Sequence, residues 1–134
     1  MNLISRDTDY AVRALVYLAK TNKKLVSTAE LYEELKLPRP SIRKALQILK
    51  KKRILKSQRG SGGGFSLIKS PKKIALIDLM NIFQGKIEFS RCFFKRKLCP
   101  NREICPIRRK IKNIEKTALK DLSLITMQSL LENK

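Results

Sequence analysis

The chain has no histidine and no tryptophan. Without histidine it lacks the commonest general base near neutral pH and the commonest nitrogen ligand for a metal. Histidine-dependent triads are therefore unavailable. The carboxylates are scattered along helical segments rather than paired, which leaves an enzyme no evident constellation to work with. Negative charge is scarce too: 11 Asp plus Glu face 31 Lys plus Arg, for a formal charge of +20. No apolar run approaches the roughly 18 residues of a membrane span. The polar stretch from Met1 to Asp9 carries no signal-like apolar core. We therefore expect a cytoplasmic protein with no membrane partner. Three cysteines are an odd count, so a structural disulfide framework is not expected.

What is present fits one domain with an added arm. The 134 residues are 43% apolar, enough for a single core and too many for a disordered tail. So large a positive excess carries self-repulsion that a polyanionic partner would relieve, with nucleic acid the first candidate and an acidic membrane surface the second. An RNA-binding protein is the alternative. It would be expected to carry aromatic stacking platforms, whereas only 6% of this chain is aromatic.

Periodicity predicts a first helix from about Asp7 to Lys20, with Ala11, Ala14, Leu15 and Leu18 on one face. Asp7 and Asp9 fall in its first turn, where carboxylates favour the positive end of the helix dipole. Ser27 and Glu30 form an S-x-x-E capping box, with Val26 and Leu31 placed for a hydrophobic staple. That second helix is short and ends near Lys36. Leu37-Pro38-Arg39-Pro40 makes a turn, and Pro40 suits the first position of a third helix. There Ile42, Ala45, Leu46 and Leu49 point inward, while Arg43, Gln47 and Lys50 form a stripe on the other side. A short helix, a tight turn and a helix with a basic outer face make a helix-turn-helix.

Four of the five glycines lie in Arg59-Gly60-Ser61-Gly62-Gly63-Gly64-Phe65. Strand-like pieces at 54–56 and 65–68 flank them and read as a hairpin. A fourth helix is expected from Ile74 to Gln84, with Gly85 as its stop. A long amphipathic helix then carries a narrow stripe, Ile107, Ile111, Ile114, Ala118, Leu122 and Ile125, of the kind that seeks another helix. Thr126 is placed to cap a last short helix. The fold class is thus mainly α with a small β-hairpin wing: a winged helix-turn-helix followed by a long dimerisation helix. We expect three segments: 1–85 for DNA binding, 86–106 as a cysteine loop, and 107–134 for dimerisation.

This order points to double-stranded DNA. Arg43 and Gln47 carry donors that reach base edges, and Lys44, Lys50, Lys51 and Lys52 suit phosphates. Arg59 stands at the mouth of the glycine loop, where a wing could carry it into a narrow minor groove. Ser41 and Ser61 complete the expected DNA-facing set.

The motifs also look familiar together. Asp9-Tyr10-Ala11-Val12-Arg13-Ala14-Leu15 opens the chain, Leu37-Pro38-Arg39-Pro40-Ser41-Ile42-Arg43-Lys44 leads into the third helix, the glycine loop follows, and Cys92, Cys99 and Cys105 precede the long helix. Over nearly its whole length the chain resembles the Rrf2 family of bacterial transcription regulators. The resemblance implies a winged-helix homodimer, generally a repressor, on a pseudo-palindromic operator, with Arg59 as the inserted wing arginine.

Several members of that family hold an iron–sulfur cluster through three cysteines in this loop, and some sense nitric oxide. The resemblance therefore implies Cys92, Cys99 and Cys105 as cluster ligands, thiolates being the usual ligands for such centres. One branch supplies a histidine three residues after the third cysteine; Arg108 stands there and closes that route. Another branch supplies an aspartate from the first helix, across the dimer. That implies Asp9 as the fourth ligand, with Asp7 in reserve. A 4Fe-4S cluster is favoured over 2Fe-2S because it tolerates a single non-thiolate ligand. The first cysteine gap, six residues, is one longer than is usual in the cluster-binding branches. The open alternatives are a thiol redox switch, a small-molecule response without a cluster, zinc, and for Asp9 a plain helix-start carboxylate.

Overall fold

A computed structural model describes residues 2–21, 23–89 and 105–132. Six α-helices and one hairpin are arranged in it. The first helix, α1 (Arg6–Lys20), starts at Ser5, whose Oγ accepts from the Thr8 N–H at 3.2 Å. Its buried face is the expected one, with Ala11, Ala14 and Leu15 fully covered and Leu18 nearly so.

The second helix, α2 (Thr28–Leu35), is capped by Ser27 Oγ, which accepts from the Glu30 N–H at 3.1 Å. The Glu30 carboxylate takes the ammonium of Lys23. Lys36 ends α2 in the left-handed region, φ 53°. The third helix, α3 (Arg39–Lys51), begins one residue before the expected start, with Pro38 at the cap and Pro40 inside the first turn. Ile42, Ala45, Leu46 and Leu49 turn inward against α1 and α2. Arg53, φ 60°, closes α3 as the Ile54 N–H reaches back to the Leu49 carbonyl at 3.0 Å.

Strands β1 (Leu55–Gln58) and β2 (Gly64–Leu67) pair antiparallel, with Leu55 opposite Leu67 and Gln58 opposite Gly64. A third piece of extended backbone joins them. Val26, expected only as a hydrophobic staple, pairs with Phe65 through two hydrogen bonds, Val26 N to Phe65 O at 2.9 Å and Phe65 N to Val26 O at 2.8 Å. A Cβ on Gly64 would lie 2.3 Å from the Val26 carbonyl oxygen. Glycine at 64 is therefore a condition of the close approach.

A 3₁₀ turn (Pro71–Lys73) leads to α4 (Leu76–Gln84). Ile74, expected inside this helix, is extended instead. Its carbonyl accepts from the Met127 N–H at 2.9 Å, and the Leu76 N–H donates to the Ile125 carbonyl at 2.7 Å. These bonds hold the long helix α5 (Pro106–Leu124) by its end and start α6 (Met127–Glu132). Thr126 caps α6 as expected, its Oγ1 accepting from the Ser129 N–H at 3.0 Å. Met127 is fully buried in the α1–α3 core, so α6 belongs to that core by packing. A smaller cluster of Leu76, Met80 and Leu122 joins α5 to α4.

One polar junction ties this frame together. Gln84 Oε1 accepts from the Ser5 N–H at 2.9 Å and from the Thr8 hydroxyl at 2.8 Å, while Gln84 Nε2 donates to the Leu3 carbonyl at 3.1 Å. Thr8 is fully buried, and a buried hydroxyl is tolerated only when bonded. The end of α4 and the start of α1 are thereby held as one unit.

Gly64→Ala should lower stability by on the order of 2 kcal/mol, through steric contact and two strained hydrogen bonds. Urea unfolding monitored by circular dichroism checks this, with Ser61→Ala, at an exposed position, expected to match wild type.

Candidate nucleic-acid interface and the helix that bears Cys105

Helix α3 presents Arg43, Lys44, Gln47 and Lys50 to solvent, and the hairpin presents Arg59 and Ser61; Ser41 is half-buried. These side chains are exposed because the opposite face of α3 is filled by Ile42, Ala45, Leu46 and Leu49. An open groove of about 520 Å³ runs between α3 and the wing. It brings Gln47 and Lys50 together with Arg59, the turn glycines and the start of α2. Gly60 and Gly62 have φ of 95° and 76°, which few other residues adopt. Gly63 lies where a Cβ would come within 2.1 Å of the Gln58 carbonyl oxygen.

Sequence reasoning missed part of this groove. Ser27, Thr28 and Ala29 line its far side. The capping box was the available signal, since the first turn of a helix beside a basic groove is a natural seat for a phosphate. The stack of Arg39 on Tyr32, 5.2 Å from guanidinium carbon to ring centroid, lay hidden in a segment read only as a turn.

The two candidate carboxylates of α1 are both paired. Asp9 accepts from Arg13 Nε at 2.9 Å, one turn along the helix, and Asp7 meets Lys44 Nζ at 3.1 Å. All four side chains are substantially exposed, so each pair contributes little to stability. The second pair nevertheless links the start of α1 to the outer face of α3.

Cys105 caps α5, half-buried, with no side-chain cap hydrogen bond and no disulfide. Cys92 and Cys99 lie outside the described residues. Among the described residues, no group of three or more His, Cys, Asp or Glu is gathered to hold a metal. None of their helices is long and apolar enough to cross a membrane.

Helix α5 divides its apolar stripe. Leu122 is buried, while Ile107 and Ile114 are 73% and 56% exposed, and Leu124, outside the expected stripe, is 70% exposed. Glu115 is buried among the inward positions. Its carboxylate accepts from the Phe89 N–H at 3.0 Å and from Lys112 Nζ at 3.4 Å. The Phe89 hydrogen bond holds its pKa below the ordinary glutamate value, outweighing burial, and Lys112 adds to the effect.

The sequence profile of the Rrf2 family, described as an iron-dependent transcriptional regulator, matches residues 4–133. The chain belongs to the Rrf2 family. It is 34% identical to an HTH-type transcriptional regulator of Aquifex aeolicus, over 72% of this chain and 67% of that one. It is 26% identical to the HTH-type transcriptional repressor NsrR of Streptomyces coelicolor, over 95% of this chain and 86% of that one. Its fold matches CymR, the global cysteine regulator of B. subtilis, with a TM-score of 0.81 at 21% identity, covering 100% and 99% of the two chains. It also matches T. potens IscR, with a TM-score of 0.75 at 22% identity, over 98% and 88%. The likeness to solved structures establishes the mainly helical winged-helix fold, and the Rrf2 membership makes this chain a transcriptional regulator.

The lowered pKa of Glu115 fixes the sign of a pH effect. A carboxylate that titrates lower when folded stabilises the fold above its ordinary pKa and loses that contribution as pH falls. Phe89 should therefore stay bonded to Glu115 at the ordinary glutamate value of 4.5 and detach from α5 only as pH falls through the lower pKa of the folded state. Protection of the Phe89 amide, measured against its intrinsic exchange rate at each pH, should fall there, with Lys112 and Glu88 the charged neighbours that tune the midpoint. Glu115→Gln, still an acceptor, should flatten the pH dependence, and Glu115→Leu should leave Phe89 exchanging rapidly at every pH.

Proposed function

We propose that the chain is a homodimeric DNA-binding repressor whose operator affinity is governed by the state of its cysteine loop. The observation that carries this reading is the single groove bounded by Gln47 and Lys50 of α3 and Arg59 of the wing, on a chain of net charge +20. In it α3 enters the major groove, with Arg43 and Gln47 on base edges and Ser41, Lys44 and Lys50 on the sugar–phosphate backbone. The wing carries Arg59 into the minor groove, with Ser61 beside it. Segment 1–85 provides this DNA-binding unit, 86–106 the controlling loop and, within 107–134, α5 the dimer contact, while α6 stays packed in the core. Ile107 and Ile114, exposed on one side of α5, offer a second copy an apolar face, and two copies would read half-sites about 34 Å apart or multiples of that.

The sensing group we favour is an iron–sulfur cluster, 4Fe-4S before 2Fe-2S, held by Cys92, Cys99, Cys105 and Asp9 of the partner subunit. Cys105 suits a ligand's role: it is a free, half-buried cysteine at the start of α5, and its side chain makes no cap hydrogen bond. Asp9 would have to leave Arg13. When bound, the cluster would supply sensitivity to oxidants, nitric oxide or iron supply. NsrR, similar over most of this chain, supports that choice. A thiol switch is the second reading, favoured by the likeness to Staphylococcus aureus CymR, which has been solved in an oxidized form. Gln84 supports a mechanical route from the loop, since it joins the end of α4 to the start of α1, and Asp7 then meets Lys44 of α3.

Arg59→Ala should weaken binding to a promoter duplex at least several-fold with unfolding unchanged; unaltered affinity removes the wing from the mechanism. If the dimer neutralises about 8 phosphates, log K should fall against log salt with a slope near −7. A flat response, or preference for structured RNA over duplex DNA in competition, would overturn the DNA reading. For the cluster, protein prepared without oxygen should be coloured and contain iron and sulfide in equal amounts. A colourless sample with thiols that cycle reversibly favours the thiol switch.

A further inference from the structure

We propose that Arg39, stacked on Tyr32, reads a guanine in the major groove and is a specificity-determining residue. This inference rests on the DNA-binding reading above. Three observations carry it. Arg39 opens α3 and is exposed, with its guanidinium 5.2 Å from the Tyr32 ring centroid, inside the range of a cation–π contact. The ring contact restrains the guanidinium next to Tyr32 without using its N–H donors in an ion pair among the described residues. Pro38 and Pro40 flank it and restrict φ on either side, so backbone and side chain are both held before any partner arrives. Such pre-organisation lowers the ordering cost of binding.

The second observation is position. Arg39 and Tyr32 line a groove with Thr28 and Ala29, and the same Thr28 and Ala29 line the groove of Gln47, Lys50 and Arg59. The two grooves meet across the first turn of α2, so Arg39 extends the proposed interface on the side away from the wing. Residues at the start of a recognition helix are those that reach base edges.

The third observation decides between a base and a phosphate. Glu33 lines the same groove as Arg39. A carboxylate there repels a phosphate, but it suits a G·C pair: guanine offers O6 and N7 to arginine, and cytosine offers its amino group to glutamate. The turn that looked like a mere connector is thus a second reading head.

The test uses the duplex that the wild-type protein enriches from a random-sequence pool. That duplex is remade with 7-deazaguanine at one guanine at a time, which keeps base pairing and removes the N7 acceptor. Wild type should lose affinity about tenfold at one guanine in each half-site. Arg39→Ala should bind the unmodified duplex correspondingly more weakly and be indifferent to replacement at that guanine, while Arg39→Lys, whose ammonium can still donate to O6 and N7, should fall between it and wild type. Tyr32→Leu should show a partial loss confined to the same position. The proposal fails if Arg39→Ala keeps the full wild-type pattern of guanine sensitivity. It fails equally if the variant loses the same factor on enriched and random duplexes with a shallower salt slope, which marks a phosphate contact. Enrichment of no duplex by wild type would defeat the DNA-binding reading itself, and this inference with it.

Discussion

Two hydrogen bonds between Val26 and Phe65 set where the wing stands. They bridge the stretch before α2 to the hairpin at one residue pair, and so fix the glycine loop relative to the helix-turn-helix. The contact is permitted by the missing side chain of Gly64 and backed by Phe65, buried at 7% exposure against the α1–α3 core. Every distance across the basic groove depends on this seam. Without it the wing would be a flexible ribbon, and Arg59 would be one more solvated cation rather than a positioned one.

Charge and packing divide the labour along the chain. The apolar side of α3 anchors the helix, which leaves its outer side free for cations whose mutual repulsion a polyanion would relieve. At the other end α5 is held by Leu122 and by the backbone bonds around Thr126, while Ile107, Ile114 and Leu124 remain uncovered in the single chain. Between these ends lie two polar junctions, Gln84 against the start of α1 and Glu115 against Phe89. Both sit beside the segment that leads to the cysteines, and both answer to small shifts, because a hydrogen bond weakens steeply with misalignment.

Much of this was legible in the sequence. The buried faces of α1 and α3 followed from helical periodicity, α2 from its capping serine, and the hairpin from the clustered glycines. What escaped has a common cause: contacts between residues distant in sequence leave no local period. Val26 was read as a staple because nothing nearby announces a strand partner at Phe65. Ile74 was assigned to a helix because its apolar character fits one, yet its carbonyl serves Met127 more than fifty residues on. Glu115, which the sequence pattern did not single out, is buried, and the Phe89 N–H that makes its burial tolerable is visible only in three dimensions. Arg39 met Tyr32 across a tight turn, where spacing rules for helices do not apply. Of the expected cluster ligands, Cys105 and Asp9 can be described and Cys92 and Cys99 fall outside the described residues, so the ligand set continues to rest on family resemblance and thiolate chemistry.

In the proposed complex one continuous surface, from the wing across α3 to the start of α2, receives duplex DNA. An amide chemical-shift map recorded as a promoter duplex is added to the intact protein tests it most directly. The largest shifts should gather at Thr28 and Ala29, along residues 39–50 and around Arg59 to Gly64, with the buried face of α4 little changed. Shifts centred instead on α4 and α5, or spread thinly over every surface lysine, would contradict it.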